Sequence, residues 1–255
     1  MHSFVKQQRY EYGPQGSIGL IVPQANPTVE AEFRLLVPDD IMICTVRSVS
    51  TAVDPGQRLQ DYLTHLPAYL EGYDTFRPDI YAFGCTGSSY MIGADAEARL
   101  VSDVANTYGR PVLTATEAIY QALSKLNAKR VRLLAPYPQA LLDKAQHYWA
   151  ARGVEITEAV SILPEIEDTR NIYTLTSDRL LPQLSVWEDV EEPVLISGTG
   201  LPSLSVLARV DNDSRLSSNL CLAWSVLNIM GQLPPAAKPM DCIHTIKPRL
   251  SKIYM

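Results

Sequence analysis

No stretch of this 255-residue chain is apolar for long enough to span a membrane. Residues 1–10 lack the apolar segment of a secretory signal. These absences predict a cytoplasmic protein with no membrane partner. Long basic runs are missing too, and the formal net charge is −6, so no nucleic-acid partner is expected. A small anionic ligand stays open, because a few local donors outweigh a diffuse field. Histidine is scarce: His2, His65, His147 and His244 are scattered, with no His-x-x-x-His pair. Cys44, Cys85, Cys221 and Cys242 form no Cys-x-x-Cys, and a chain of this size has no need of disulfides. Neither a metal nor a nucleotide cofactor is expected, since Gly-x-Gly-x-x-Gly is absent as well. No carboxylate dyad and no Ser/His/Asp order stands out. Charge pairs such as Glu191-Glu192 read as solvated loop.

What is present is a repeat. Tyr81-Ala-Phe-Gly-Cys85-Thr86-Gly87 aligns with Val194-Leu-Ile-Ser-Gly198-Thr199-Gly200 at an offset of 113 residues. Ile18-Gly-Leu-Ile-Val-Pro23 aligns with Val131-Arg-Leu-Leu-Ala-Pro136 at the same offset, and Pro111–Thr116 aligns with Ser214–Asn219 at 103. Two halves facing one another would form a cleft with paired Thr-Gly turns, one side bearing a thiol and the other none.

Apolar content of 46% supports a sizeable core. Short apolar runs alternate with amphipathic segments, the βαβ signature of a parallel sheet covered by helices, so the fold class is α/β. Strands are expected near 17–22, 41–46, 79–84, 111–114, 131–135, 154–158, 193–197 and 214–217. Helices are expected near 27–36, 55–73, 93–107, 116–126, 138–152, 175–187, 202–209 and 219–231. Residues 1–16 and 233–255 read as peripheral arms. Ligands of open α/β sheets bind beyond the carboxyl ends of the strands, where all the paired turns fall.

Gly84-Cys85-Thr86-Gly87 links a strand to a helix. Small residues let backbone N–H groups approach a ligand there, and the helix start favours an anion. A cysteine in that field is expected to have a lowered pKa and to act as nucleophile or proton-transfer group. Its bland alternative is a buried small hydrophobe. Cys44 and Cys221 take that bland reading, and Cys242 lies in the proline-bearing tail. Asn26, before Pro27-Thr28-Val29-Glu30, is either a helix cap or a carboxylate donor. Tyr137 occupies the corresponding loop of the second half. Asn219 caps a helix or meets the ligand. Thr86 and Thr199 each offer a hydroxyl and an N–H, or serve only the turns.

Ile18-Gly-Leu-Ile-Val-Pro-x-x-Asn26-x-Thr28-Val-Glu30-x-Glu32-Phe33, then Gly84-Cys85-Thr86-Gly-Ser-Ser, Ala135-Pro136-Tyr137-Pro138 and Ser197-Gly198-Thr199-Gly200-Leu201 carry a resemblance. In this order they resemble the aspartate/glutamate racemase superfamily, in its maleate cis–trans isomerase and arylmalonate decarboxylase branch. The resemblance covers roughly residues 12–231. It implies two flavodoxin-like lobes related by a pseudo-twofold, here 14–113 plus 215–255 and 114–214. It further implies a homo-oligomer, no metal or organic cofactor, and a small carboxylate bound between two cysteine positions. Gly198 departs from the pattern, standing where isomerases and racemases of this type carry their second cysteine. Racemisation needs an acid/base group on each face of the carbon, so the departure argues against a racemase. The decarboxylases resemble the reverse arrangement, keeping the second cysteine and losing the first.

The expectation that follows is a cofactor-independent enzyme in which Cys85 attacks a small unsaturated carboxylate, as in maleate isomerisation. Asn26, Thr86, Gly87, Tyr137, Gly198, Thr199, Gly200 and Asn219 are the expected binding residues. A decarboxylase or other lyase, including carbon–sulfur cleavage, is the alternative use of Cys85. A catalytically silent carboxylate-binding protein is the alternative from another class.

Overall fold

The computed structural model describes residues 10–210 and 212–253. Eight strands form two parallel four-stranded sheets. The first holds β1 (Gly16–Pro23), β2 (Ile41–Ser48), β3 (Ile80–Phe83) and β4 (Val112–Thr114) in the order β2-β1-β3-β4. The second holds β5 (Arg130–Ala135), β6 (Glu155–Ser161), β7 (Val194–Ile196) and β8 (Arg215–Ser217) in the order β6-β5-β7-β8. Strand order is thus the same in both halves, and the repeat at offset 113 is a repeat of topology: β1 corresponds to β5 and β3 to β7. Every residue of β1 and β3 is buried, as expected of parallel strands covered on both faces, whereas β2 and β6 lie at sheet edges and are only half-buried.

Helices follow most strands. They are α1 (Thr28–Leu36), α2 (Pro55–Thr64), α3 (Leu66–Glu71), α4 (Thr86–Ile92), α5 (Ala94–Tyr108), α6 (Ala115–Lys125), α7 (Gln139–Ala151), α8 (Leu181–Val186), α9 (Leu204–Val210), α10 (Ser218–Ile229) and α11 (Pro239–Ile253). All eight expected strands are present, with ends shifted by a few residues. Among the described residues no helix is long and apolar enough to cross a membrane.

Differences from expectation have local causes. The helix expected over 55–73 breaks at His65, because Pro67 sits in the first turn of α3, where its missing N–H is harmless. The helix expected over 175–187 is split into a 3₁₀ turn, Ser177–Leu180, and the short α8, and a further 3₁₀ turn, Thr169–Thr174, precedes it. The C-terminal arm is a helix: Met240, Ile243, Ile246 and Leu250 recur at helical spacing and are buried against the core. Residues 1–9 of the expected N-terminal arm lie outside the described residues. Strand β8 pairs with β7, so residues 215–217 belong to the second sheet, and the chain crosses back after Ser217 rather than before Arg215. Helix α10 then packs on α6, α1 and the first sheet. Its residues Ser218–Leu227 are buried on every face, and only the C-terminal end of the helix meets water.

Candidate active site

Each half contributes turns at the carboxyl ends of its strands, and these turns bond across to the other half. Asn26, after β1, donates Nδ2–H to Thr199 Oγ1 at 3.3 Å. Thr199 donates its hydroxyl to the Gly84 carbonyl at 2.8 Å, and Thr28 donates to the Gly200 carbonyl at 2.8 Å. Thr86 Oγ1 and the Tyr137 hydroxyl are 2.7 Å apart. Tyr137 in turn lies 3.2 Å from Ser197 Oγ, which lies 2.9 Å from the Tyr90 hydroxyl. Of its two alternatives Asn26 shows the capping one: Oδ1 accepts from the N–H groups of Thr28 and Val29, fixing the entry to α1, while Nδ2 is directed at Thr199 across the interface.

These turns enclose a cavity of about 30 Å³ lined by Pro23, Asn26, Cys85, Thr86, Gly87, Tyr137, Gly198, Thr199 and Gly200. Seven of the eight expected binding residues therefore converge on one space together with Cys85. Space of this size holds about two waters. A dicarboxylic acid enters only if part of the wall moves.

Cys85 is the N-cap residue of α4, 5% exposed, with its sulfur accepting a hydrogen bond from Ser88 Oγ at 3.1 Å. Burial raises the thiol pKa above its ordinary value, while the Ser88 hydroxyl and the N–H groups of Ser88 and Gly87 pull it down. The lowered pKa expected from the helix start is thus overridden by burial: desolvation of a thiolate outweighs three donors. Cys221 and Cys242 are buried in the core, and Cys44 is half-buried in β2; none of the three lines the cavity. Gly198 has φ +123°, a conformation that L side chains rarely adopt. A Cβ there would lie 3.2 Å from Pro136 Cδ and 3.5 Å from the Tyr137 hydroxyl.

Asn219 is the exception among the expected binding residues. It does not line the cavity; its Nδ2 donates to the Thr199 carbonyl at 3.0 Å and to Glu32 at 2.7 Å. Placed at the buried start of α10, it stands one layer behind the turn it was expected to share. Glu32 also accepts from the N–H groups of Ser203 at 2.6 Å and Leu204 at 3.1 Å. Burial pushes its carboxyl above the usual carboxylate range, against the pull of these donors. A second buried carboxylate does the matching work in the other half. Glu97 accepts from Ser89 at 2.8 Å, Thr116 at 2.6 Å and Tyr148 at 2.5 Å, and Thr116 is the repeat partner of Asn219. Each carboxylate ties a segment just beyond a Thr-Gly turn to the helix that follows the next strand.

The remaining walls come from residues the repeat does not contain. Leu59 of α2 and Leu141 of α7 supply apolar surface, and Thr169, Ile172 and Tyr173 belong to a strap between β6 and α8. Asp168 in that strap pairs with the buried Arg58 of α2 at 2.5 Å, fastening the strap to the first half. The Tyr173 ring packs so closely on Gly200 that a Cβ at 200 would lie 2.6 Å from Cε1. Tyr62 and Tyr173 both feel the charge of Cys85, and burial pushes the Tyr62 phenol up to about 12. Among the described residues no group of three His, Cys, Asp or Glu side chains could hold a metal ion.

A model of the arylmalonate decarboxylase family matches residues 18–239. The chain belongs to that family. Within it, the chain is 24% identical over 233 residues to a maleate isomerase of Geobacillus stearothermophilus, covering 85% of this chain and 91% of that one. Its fold is similar to a Nocardia farcinica maleate cis–trans isomerase mutant holding a covalently bound succinylcysteine intermediate, with TM-score 0.75 and 21% identity over 89% and 98% of the two chains. It is also similar to a liganded arylmalonate decarboxylase double mutant in which a glycine is replaced by cysteine and a cysteine by serine. There the TM-score is 0.71 and the identity 20%, over 85% and 93% of the chains. The expected α/β fold and the expected branch of the superfamily are both borne out.

Proposed function

We propose that this family member is a cofactor-independent cis–trans isomerase of maleate or a closely similar unsaturated dicarboxylate, with Cys85 as nucleophile. The observation that carries the reading is Cys85 at the start of α4, lining a small cavity between the halves, with Ser88 and two backbone N–H groups directed at its sulfur. Those donors stabilise the small thiolate fraction, which is the attacking species. Attack on one alkene carbon turns the double bond into a single bond, and rotation followed by loss of the thiolate gives the trans acid. Asn26, Thr86, Gly87, Tyr137, Gly198, Thr199 and Gly200 form the carboxylate cradle and stabilise the enediolate as charge develops. Asn219 acts through Thr199. Removing one such donor typically costs about 3–4 kcal/mol of barrier. The curated maleate isomerases, similar along most of their length, support the choice of substrate.

Decarboxylation is the second reading, favoured by the matching family model and by the single thiol in the cavity. Product analysis separates the two. Incubation with maleate followed by proton NMR is expected to show fumarate, and incubation with an arylmalonate no release of carbon dioxide; the opposite pair of results assigns the lyase reaction instead. The proposal includes a homo-oligomer in the cytoplasm and a functional division into lobes 14–113 plus 215–255 and 114–214, shifted at β8 as described.

A further inference from the structure

The described titratable side chains lining the cavity are one thiol, Cys85, and two phenols, Tyr137 and Tyr173. Of the phenols, Tyr137 comes from the same half as Gly198, and its hydroxyl lies 3.5 Å from the point where a side chain at 198 would begin. The place left open by the missing second thiol is therefore bordered by a phenolic O–H. That hydroxyl is already in a polar chain, with Thr86 at 2.7 Å on one side and Ser197 at 3.2 Å on the other, and Ser197 leads on to Tyr90 and the Trp149 indole N–H. A succinyl adduct, as named in the Nocardia farcinica protein, is saturated at both carbons, so its formation requires a proton delivered to the carbon beside the one bearing sulfur.

We infer that Tyr137 delivers and retrieves that proton, acting as the acid/base catalyst on the wall where other members of this superfamily are expected to carry a second cysteine. The inference rests on the isomerase reading above. In the first step the Cys85 thiolate forms an S–C bond, and the alkene π pair moves onto the neighbouring carbon as the enediolate of its carboxylate. The Tyr137 O–H then breaks and a C–H bond forms, leaving a phenolate that accepts hydrogen bonds from Thr86 and Ser197. Burial raises the Tyr137 phenol well above its ordinary value. It therefore starts protonated, and the phenolate it leaves is a stronger base than an ordinary tyrosinate. Rotation about the new single bond by one third of a turn brings the carbon's original hydrogen towards the phenolate. Removal of that hydrogen, re-formation of the double bond and departure of the thiolate give the trans acid, with enzyme and proton count restored.

This geometry has a stereochemical consequence. With one group working on one face, removing the delivered proton only regenerates the cis acid. Each productive turnover therefore leaves the delivered proton in the product. In heavy water the enzyme is expected to convert maleate into fumarate carrying one deuterium per molecule. Tyr137→Phe, checked for folding by circular dichroism, is expected to lose at least a hundredfold in kcat, and any fumarate it still forms is expected to be unlabelled. Tyr173→Phe is the control for the second phenol and is expected to give labelled fumarate whatever its rate. Unlabelled fumarate from the unaltered enzyme, or labelled fumarate from Tyr137→Phe, would overturn the role of Tyr137 while leaving the isomerase reading intact. No fumarate from the unaltered enzyme would overturn both.

Discussion

Gly200→Ala tests whether the strap gates the cleft. The added methyl would lie 2.6 Å from Tyr173 Cε1, 2.7 Å from Cδ1 and 2.9 Å from Ile172 Cδ1, all closer than real Cβ contacts come. No positive φ is involved at Gly200, so the penalty is steric and falls on the strap rather than on the turn. Overpacking of this kind costs about 1–3 kcal/mol. Since Tyr173 can relieve the clash by lifting away, that energy biases the cleft towards its open form about 5- to 150-fold. A cavity of about 30 Å³ leaves little room for a reagent and Cys85 is only 5% exposed, so the rate of Cys85 alkylation reads how far the strap lifts. Iodoacetamide labelling, followed at the peptide that carries Cys85 so that Cys44 does not interfere, is expected to speed up by that factor. Because overpacking also lowers global stability, the comparison is made well below the melting transition. An unchanged rate in a folded variant would show that Tyr173 does not control access.

Ser88→Ala removes the side-chain donor 3.1 Å from the Cys85 sulfur. Burial raises this thiol pKa and Ser88 opposes that rise, so the variant's labelling and turnover curves are expected to move to higher pH. The sign is that of an acid losing a stabiliser of its charged form: rate at neutral pH falls about tenfold or more, whereas the plateau at high pH is kept. A pH profile identical to that of the unaltered enzyme would refute the role of Ser88. Asn219→Ala leaves the Thr199 carbonyl without that donor and deprives the buried Glu32 of one of its partners. The cost is about 2–4 kcal/mol, expected as a fall of about 5–15 °C in Tm together with a raised KM. A Tm within about 1 °C would show that the network carries no stability.

Much of the site was legible because the duplication places chemistry at equivalent strand ends. Two matches, of six and seven residues, at a common offset identify β1 with β5 and β3 with β7. From those alignments Asn26, Cys85, Thr86, Tyr137 and Gly198–Gly200 could be named before any contact was known. Asn219 was misplaced for a geometric reason. Its helix start aligns with Thr116, yet the pair lies a layer behind the cavity: Asn219 bonds the Thr199 carbonyl, and Thr116 bonds Ser89, which does not line it. The strap was not legible, because Thr169, Ile172 and Tyr173 sit in irregular turns with no periodicity of their own, whereas the equivalent connection of the first half is the regular helix α2. Glu32 stood inside the quoted motif, but its partners Ser203 and Asn219 are 171 and 187 residues away, a separation that no local pattern reports. The raised thiol pKa is not legible in sequence, because helix-start donors are visible there and desolvation is not.

The proposed chemistry depends on a bond between the Cys85 sulfur and substrate carbon. Acid quenching of the enzyme during turnover with maleate, then intact-mass and peptide analysis, is the most direct test. The expected result is one substrate mass added per chain, located on Cys85, and no adduct or turnover from Cys85→Ala. Turnover of maleate at an undiminished rate by Cys85→Ala would contradict the account.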